Sequence, residues 1–207
     1  MITSIVNKEK QTNFTPQTVL EDLLEGNKRF TSAKTLDRDY SSQLKQAVEG
    51  QWPKAVVLGC IDSRVPVETI FDQGVGDLFV ARVAGNFENT DILGSMEYSC
   101  KVAGSKLVMV LGHESCGAVK AACDDVKLGN ITHLLSNIKP AVEGTKEDGE
   151  RNSSNPEFVA KVIENNVKMT IERIREKSEI LKEMEDNGEI KIVGGVYSIC
   201  TGAITLI

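Results

Sequence analysis

This sequence of 207 residues has few histidines, no excess of basic residues and no long apolar run. No apolar run approaches the ~20 residues that a membrane-spanning helix requires, and the first residues lack the apolar stretch of a secretory signal peptide. We therefore expect a cytoplasmic protein with no membrane partner. The formal net charge of -6 leaves no excess of lysine and arginine for binding phosphate groups, so we expect no nucleic-acid partner either.

Cysteine and histidine are few enough that each one can be considered individually. The number of cysteines is odd, and without an export signal we expect a reducing compartment, where cysteines serve as thiols, metal ligands or nucleophiles. The only histidines are His113 and His133, so any chemistry that requires an imidazole has almost no choice of residue. The five cysteines are Cys60, Cys100, Cys116, Cys123 and Cys200.

Short runs rich in valine, leucine and isoleucine predict β-strands. They are "AVVLG" (55–59), "LFVARV" (78–83), "KLVMVLG" (106–112) and "IKIVGGVYSI" (190–199). Near-continuous hydrophobicity is typical of strands covered on both faces, and segments with helical periodicity lie between the runs. This alternation predicts an α/β fold with a mainly parallel central sheet of about four strands flanked by helices. We expect a single domain over 1–207.

Two longer amphipathic helices are predicted on either side of these runs. One begins at Pro16 with Thr15 as its N-cap, and its apolar stripe can be covered either by its own domain or by a partner subunit. The other begins at Pro156 with Asn155 as its N-cap, and we expect it to run as one helix to a stop at Gly188. The polar stretch before the second helix is interpreted as a surface loop and not as a domain linker.

Three metal-binding side chains are predicted to meet at one edge of the sheet. Cys60 follows the first strand, and His113 and Cys116 follow the third. Ligands of open parallel sheets bind outside the carboxyl ends of the strands, where these residues lie. Two thiolates and one imidazole favour zinc, and three protein ligands leave the fourth tetrahedral position open, as in catalytic sites. Taken singly, each cysteine is more typical of a buried core thiol, so it is their joint placement with a histidine that indicates a metal site.

Asp62 and Arg64 come directly after the first of these cysteines. They alternate with Ser63, so both side chains project the same way if the backbone is extended. A pair of this kind in a loop is ordinarily a surface salt bridge worth less than ~1 kcal/mol. Its position beside Cys60 favours a role at the predicted metal site.

The stretches "CIDSR" (60–64) and "HESCG" (113–117) together resemble the CxDSR and HxxCG signature of the β-class carbonic anhydrases. The resemblance extends over nearly the whole chain, including "LLEGNKRF" near the N-terminus and "DLFVARVAGN" around the second strand. It implies one Zn²⁺ per chain, held by Cys60, His113 and Cys116. It also implies the reversible hydration of carbon dioxide to bicarbonate and a proton, by attack of zinc-bound hydroxide on CO2.

Roles for further residues follow from the same resemblance. Asp62 and Arg64 are implied as catalytic residues: the aspartate accepts a hydrogen bond from the zinc-bound hydroxide, and the arginine holds the aspartate away from the metal. If that pair breaks, Asp62 becomes a fourth zinc ligand and the site closes. Tyr98 is expected to reach the site across a subunit interface. The implied substrate-binding residues are Gln51, Phe79, Ala84, Tyr98 and the backbone N–H of Gly117.

The resemblance implies self-association as well, as a homodimer or a dimer of dimers. In such an assembly an N-terminal helical arm (1–50) places its amphipathic helix on the partner subunit, and residues 51–207 form the α/β core.

Two alternatives to CO2 hydration stay open at this point. The same fold could hydrolyse COS or CS2, which resemble CO2 in shape, or it could be a catalytically silent scaffold stabilised by zinc. The presence of Asp62 and Arg64 beside an open coordination position favours an enzyme over a scaffold. A redox role for Cys60 and Cys116 is less favoured, because the chain has no CxxC pair.

Overall fold

A twisted sheet with its strands in the order β2-β1-β3-β4-β5 forms the centre of the computed structural model, which describes residues 1–207. The strands β2, β1, β3 and β4 are parallel to one another, and β5 is antiparallel to β4. The strands are β1 (Ala55–Gly59), β2 (Leu78–Arg82), β3 (Leu107–His113), β4 (Lys191–Tyr197) and β5 (Ile204–Leu206). The prediction of a mainly parallel sheet in an α/β fold is confirmed.

The sequence analysis missed the short strand β5. It pairs with β4 in the register Tyr197 with Ile204, after a tight turn in which Gly202 adopts a φ of +76°. Three residues at the end of the chain are too few to show the periodicity of a strand. The sheet therefore has five strands and not the expected four.

Helices cover both faces of the sheet. The helices are α1 (Lys8–Thr12), α2 (Pro16–Thr31), α3 (Tyr40–Ala47), α4 (Val67–Ile70), α5 (Thr90–Glu97), α6 (Gly117–Cys123), α7 (Gly129–Ser136), α8 (Lys139–Gly144), α9 (Pro156–Lys177) and α10 (Glu179–Asp186). A π-helical turn, Tyr98–Val102, continues α5. None of the helices combines the length and the apolar composition needed to cross a bilayer.

Alternate side chains of β1 and β3 enter two different cores, because successive residues of a strand point to opposite faces. On one face Val56 and Val110 pack with residues of α5, α9 and α10. On the other face Val57 and Met109 pack with α2. Every residue of β1 and β3 is buried, which explains why these runs are apolar throughout instead of alternating.

The N-terminal helix α2 begins as the sequence predicts. The Thr15 hydroxyl accepts a hydrogen bond from the backbone N–H of Thr18, and Pro16 occupies the first turn. Its buried side chains Val19 and Leu23 pack on the sheet of their own domain. The contact of this helix with a partner subunit stays a prediction.

The prediction of one helix from Pro156 to Gly188 was wrong, because the helix is interrupted at Ser178. This residue has φ -118° and ψ 97°, and it caps α10 by accepting a hydrogen bond from the backbone N–H of Leu181. Its hydroxyl also donates to Glu97. The side chain of a serine competes with the helical backbone for hydrogen bonds, and here the competition starts a new helix.

Two glycines allow α9 to lie close to the sheet. A Cβ at Gly112 would lie 2.8 Å from Val167 Cγ2, and a Cβ at Gly194 would lie 2.7 Å from Val167 Cγ1. Both distances are shorter than side chains tolerate, so the approach of helix and sheet requires glycine at these positions. The middle of α9 is thereby fixed against the end of β3, which carries His113.

A buried ion-pair cluster connects α2 and the segment after it to the end of α4. The Asp72 carboxylate, of which 2% is exposed, pairs with Arg29 at 2.5 Å and with Arg38. It also accepts a hydrogen bond from the backbone N–H of Leu36. Burial by itself raises the pKa of the Asp72 carboxyl, but hydrogen bonds from both arginines outweigh burial and hold the pKa below its usual value.

We predict that Asp72→Asn lowers the free energy of unfolding by about 3 to 5 kcal/mol at neutral pH. The substitution leaves Arg38, whose side chain is only 7% exposed, without its charge partner. Denaturant unfolding of the variant and the wild type measures this difference. The carboxylate contributes its full stabilisation above the unfolded-state pKa of about 4 and loses it as the pH falls through the lower folded-state pKa. The difference should therefore shrink in acid.

Asp37→Asn is the matched control, because 73% of the Asp37 side chain is exposed and its one ion pair, to the N-terminus, is 3.8 Å long. This control should unfold like the wild type. Equal stability of the two variants would contradict the role of the cluster.

Candidate metal centre

Cys60, His113 and Cys116 come together at the carboxyl edge of the sheet. Cys60 follows β1, His113 ends the neighbouring strand β3, and Cys116 is the N-cap of α6. Their ligand atoms all lie within 4.8 Å of one another, and the two Sγ atoms are 4.0 Å apart. All three side chains are buried. The arrangement is the size of a coordination sphere for a single metal ion.

The imidazole of His113 is oriented for metal binding. Its Nδ1 lies 2.9 Å from the carbonyl oxygen of Glu114. A carbonyl oxygen can only accept, so Nδ1 carries the proton and Nε2 keeps a free lone pair. This Nε2 is buried and has no hydrogen-bond partner. A buried acceptor without a partner is costly for the fold, and a metal ion between it and the two thiols would satisfy it.

The two thiols differ in acidity. A hydrogen bond from the Cys116 thiol, aided by His113 and by the backbone N–H of Gly85, lowers the pKa of Cys60 to about 4. The same bond and burial raise the pKa of Cys116. One thiol of the pair is thus favoured as a thiolate at the expense of the other. A divalent cation between the two sulfurs would stabilise both as thiolates.

Asp62 and Arg64 form a two-point ion pair beside this cluster. The Arg64 Nε donates to Asp62 Oδ1 at 2.9 Å, and Nη2 donates to Oδ2 at 2.7 Å. The hydrogen bonds from Arg64 hold the pKa of the Asp62 carboxyl well below its usual range, so the group is ionised and accepts hydrogen bonds only. Asp62 Oδ2 lies 3.9 Å from His113 Nε2.

The backbone around this pair is a turn and not the extended segment on which the sequence argument depended. The N–H of Val65 donates to the carbonyl of Asp62, and the N–H of Arg64 donates to Asp62 Oδ1. The aspartate side chain closes its own turn in this way. The two side chains meet through the turn, so the expected pair exists for a different local reason.

Arg82 holds the same loop from the outside, and the sequence analysis missed it. Its Nε donates to the carbonyl of Cys60 at 2.8 Å, and its Nη2 donates to the carbonyl of Asp62 at 2.7 Å. The one available signal was a charged residue at the end of an otherwise apolar strand.

Comparisons with known proteins agree with this geometry. The family model described as carbonic anhydrase matches residues 55–204. Carbonic anhydrase 2 of Mycobacterium tuberculosis is 34% identical over 200 residues, which cover 94% of each chain. A carbonic anhydrase of Mycolicibacterium smegmatis is also 34% identical over 200 residues, again 94% of each chain.

Solved structures with a similar fold include β-carbonic anhydrases. A β-carbonic anhydrase of Coccomyxa in complex with acetazolamide has a TM-score of 0.71 at 24% identity, over 91% of this chain and 86% of that one. One of two tetrameric β-carbonic anhydrases of Sordaria macrospora has a TM-score of 0.69 at 22% identity, over 92% of this chain and 97% of that one.

This chain belongs to the β-class carbonic anhydrase family. The resemblance in the paired CxDSR and HxxCG motifs is thereby confirmed as family membership.

The substrate residues implied for a β-carbonic anhydrase fall into two groups in the structure. Gly117 begins α6 directly after Cys116, and a Cβ at this position would meet nothing within 4 Å. Ala84 is likewise close, since it precedes Gly85, whose N–H lies 3.3 Å from Cys60 Sγ. These two positions adjoin the Cys60 and Cys116 thiols of their own chain.

Gln51, Phe79 and Tyr98 lie away from the thiols of their own chain. Phe79 is in register with Val56, which places it about 13 Å along the strand from Cys60 at ~3.3 Å per residue. Its ring centroid is 6.2 Å from that of Tyr98, and both rings line a surface cavity of about 680 Å³. Gln51 precedes β1 and is exposed.

We predict that Cys116→Ser lowers the affinity for zinc by more than about 100-fold, since even outer contacts of a zinc site contribute about 10- to 100-fold. Cys200→Ser is the matched control, because Cys200 is exposed and lies outside the cluster. Competition with a chromophoric chelator measures both affinities. Equal zinc affinity in the two variants would show that the metal binds elsewhere.

Proposed function

We propose that this chain is a zinc-dependent carbonic anhydrase that interconverts CO2 with bicarbonate and a proton. One Zn²⁺ per chain would be held by Cys60, His113 and Cys116. The observation that carries the proposal is the buried Nε2 of His113, which faces two thiols and has no partner within the protein. Zinc in a three-ligand protein site lowers the pKa of water from 15.7 to about 7 and so supplies hydroxide at moderate pH.

Asp62 orients the proton of the nucleophile in this proposal. An ionised carboxylate can only accept a hydrogen bond, so it selects the orientation in which the oxygen lone pair is free for attack. Arg64 holds the carboxylate in place through two hydrogen bonds. Both Asp62 oxygens are thereby engaged by Arg64, so Asp62 is not one of the three proposed ligands, and the fourth position would be free for water.

The Asp62–Arg64 pair is also the contact that would have to break to give a closed state. Half of the Arg64 side chain is exposed, so water can compete for this contact from the arginine side. Loss of the pair would free Asp62 to become the fourth ligand. We propose that the structure described here corresponds to the open arrangement, on the basis of the intact pair.

Gly117 is proposed to bind a substrate oxygen through its backbone N–H. The first N–H groups of a helix have no intrahelical acceptor, and Gly117 is the first residue of α6. The absence of a side chain leaves the approach to this N–H open. Ala84 is proposed as part of the apolar wall nearby.

A second copy of the chain is proposed to complete the substrate pocket. The strand β2 is the outer edge of the sheet, and its residues are only partly buried. Unpaired strand edges are ready to associate. Tyr98 is 52% exposed beside this edge, with Phe79 against it. We infer a homodimer or a dimer of dimers in which Gln51, Phe79 and Tyr98 serve the partner's site.

We propose a cytoplasmic location for the protein. Two thiols 4.0 Å apart must stay reduced in order to bind a metal, and the cytoplasm provides that condition.

We predict that Asp62→Ala lowers kcat for CO2 hydration by at least about 100-fold while zinc stays bound. Stopped-flow hydration on samples of measured zinc content tests this. Asp186→Ala is the control, because 63% of the Asp186 side chain is exposed and its ion pair is with Lys182, on the same helix. A wild-type rate in zinc-loaded Asp62→Ala would overturn the proposed role of Asp62.

The rate of CO2 hydration should rise with pH above neutrality. Two thiolate charges formally cancel the charge of the zinc ion, so water is acidified less than at a site with three histidines. Initial rates between about pH 6.5 and about pH 9 measure this dependence. A flat profile over that range would contradict the charge argument.

A further inference from the structure

A buried turn connects the metal centre to helix α9. The N–H of Asn86 donates to the carbonyl of Val83, which closes a turn with Gly85 inside it at a φ of +83°. The N–H of Gly85 donates to Cys60 Sγ at 3.3 Å. The turn therefore presents one backbone donor to a sulfur that would bind the metal.

Gly85 meets two constraints that exclude a side chain. Its positive φ favours glycine, and a Cβ at this position would lie 2.4 Å from Ile138 Cδ1. The turn can pack against Ile138 as closely as it does only because this residue has no Cβ. What fixes the turn from the other side is a side chain of α9.

Asn166 is that side chain. It is 1% exposed, and its Nδ2 donates to the carbonyl of Gly85 at 2.8 Å. A flipped amide would bring two oxygens together, so the orientation is determined by the contact. The next residue, Val167, is the one that packs against Gly112 and Gly194, so this part of α9 is fixed to the sheet.

The Asn166 amide uses only one of its two polar atoms for hydrogen bonding. Its Oδ1 is buried without a hydrogen-bond partner. An unpaired buried acceptor costs at least as much free energy as one hydrogen bond contributes, and an apolar residue of the same size would avoid that cost. The effect of the asparagine is therefore concentrated on the carbonyl of Gly85 and on the turn behind it.

We propose that Asn166 is a positioning residue of the metal centre. It anchors the turn from 83 to 86 so that the Gly85 N–H stays directed at the Cys60 sulfur. A hydrogen bond to a thiolate withdraws charge from the sulfur, so Asn166 acts on the metal through Gly85 and Cys60 without touching it. This inference rests on the proposed metal site.

The test is cobalt substitution of the wild type, Asn166→Leu and Asn166→Ala, since Co²⁺ reports the electron density of bound thiolates in its charge-transfer absorption. Loss of the N–H···S bond makes the sulfur richer in electrons. We expect the thiolate-to-cobalt band of both variants to move to longer wavelength. We also expect their zinc affinity to fall by roughly tenfold, the lower end for loss of an outer contact.

Thr170→Val is the matched control. Thr170 is fully buried on the same helix, and its hydroxyl contacts Arg173 and not the turn. The control should change stability without moving the band. Hydrogen exchange over residues 84–86, followed by mass spectrometry, should be faster in Asn166→Leu and unchanged in Thr170→Val.

The outcomes separate this inference from the proposed function. A wild-type cobalt protein without an intense thiolate band overturns the metal site and this inference together. A normal wild-type band with unshifted bands in both Asn166 variants overturns the role of Asn166 alone. An equal shift in Thr170→Val also overturns it, because the effect would then be a general loosening of α9.

Discussion

The parallel pairing of β1 with β3 is the constraint on which the site depends. Because the strands run the same way and are adjacent, their carboxyl ends lie side by side, and the residues that follow them meet. Cys60 and His113 are brought together by backbone hydrogen bonds that are continuous with the core, and Cys116 follows after one turn. The sheet thus places two thiols and an imidazole in one buried cluster.

The charges around the cluster favour the binding of a cation. Two thiols, an imidazole and an ionised aspartate face one another, and the aspartate pairs with the positive side chain of Arg64. Arg64 compensates Asp62 but does not reach the sulfurs, so full ionisation of both thiols needs a further positive charge. The outer hydrogen bonds follow the same logic. Arg82 donates to the carbonyls of the loop that carries Cys60, and the Gly85 N–H donates to the Cys60 sulfur itself.

The four main strands and the meeting of Cys60, His113 and Cys116 could be predicted from the sequence, because both signals are local. An apolar run predicts a buried strand, and a cysteine or histidine at its end is placed by the strand. The residues that were missed are placed by tertiary contacts instead. Arg82 and Asn166 lie 22 and 81 positions from their partners Cys60 and Gly85, and nothing in either neighbourhood signals that contact. The break at Ser178 was missed for a similar reason, since a serine inside a helical pattern is informative only once Glu97 is known to lie beside it. The placement of Gln51, Phe79 and Tyr98 stays a prediction, because it depends on a second chain.

The proposed function depends on one metal ion held by two cysteine sulfurs and one histidine nitrogen, with one further light ligand. Zinc-edge X-ray absorption on protein of known zinc content measures this set of ligands. We expect two sulfurs at about 2.3 Å and two nitrogen or oxygen atoms at about 2.0 to 2.2 Å. A shell of three or four sulfurs would mean that Cys100, Cys123 or Cys200 joins the site and that no position is open for chemistry. A shell of nitrogen and oxygen alone would place the metal away from Cys60 and Cys116 and contradict the proposed site.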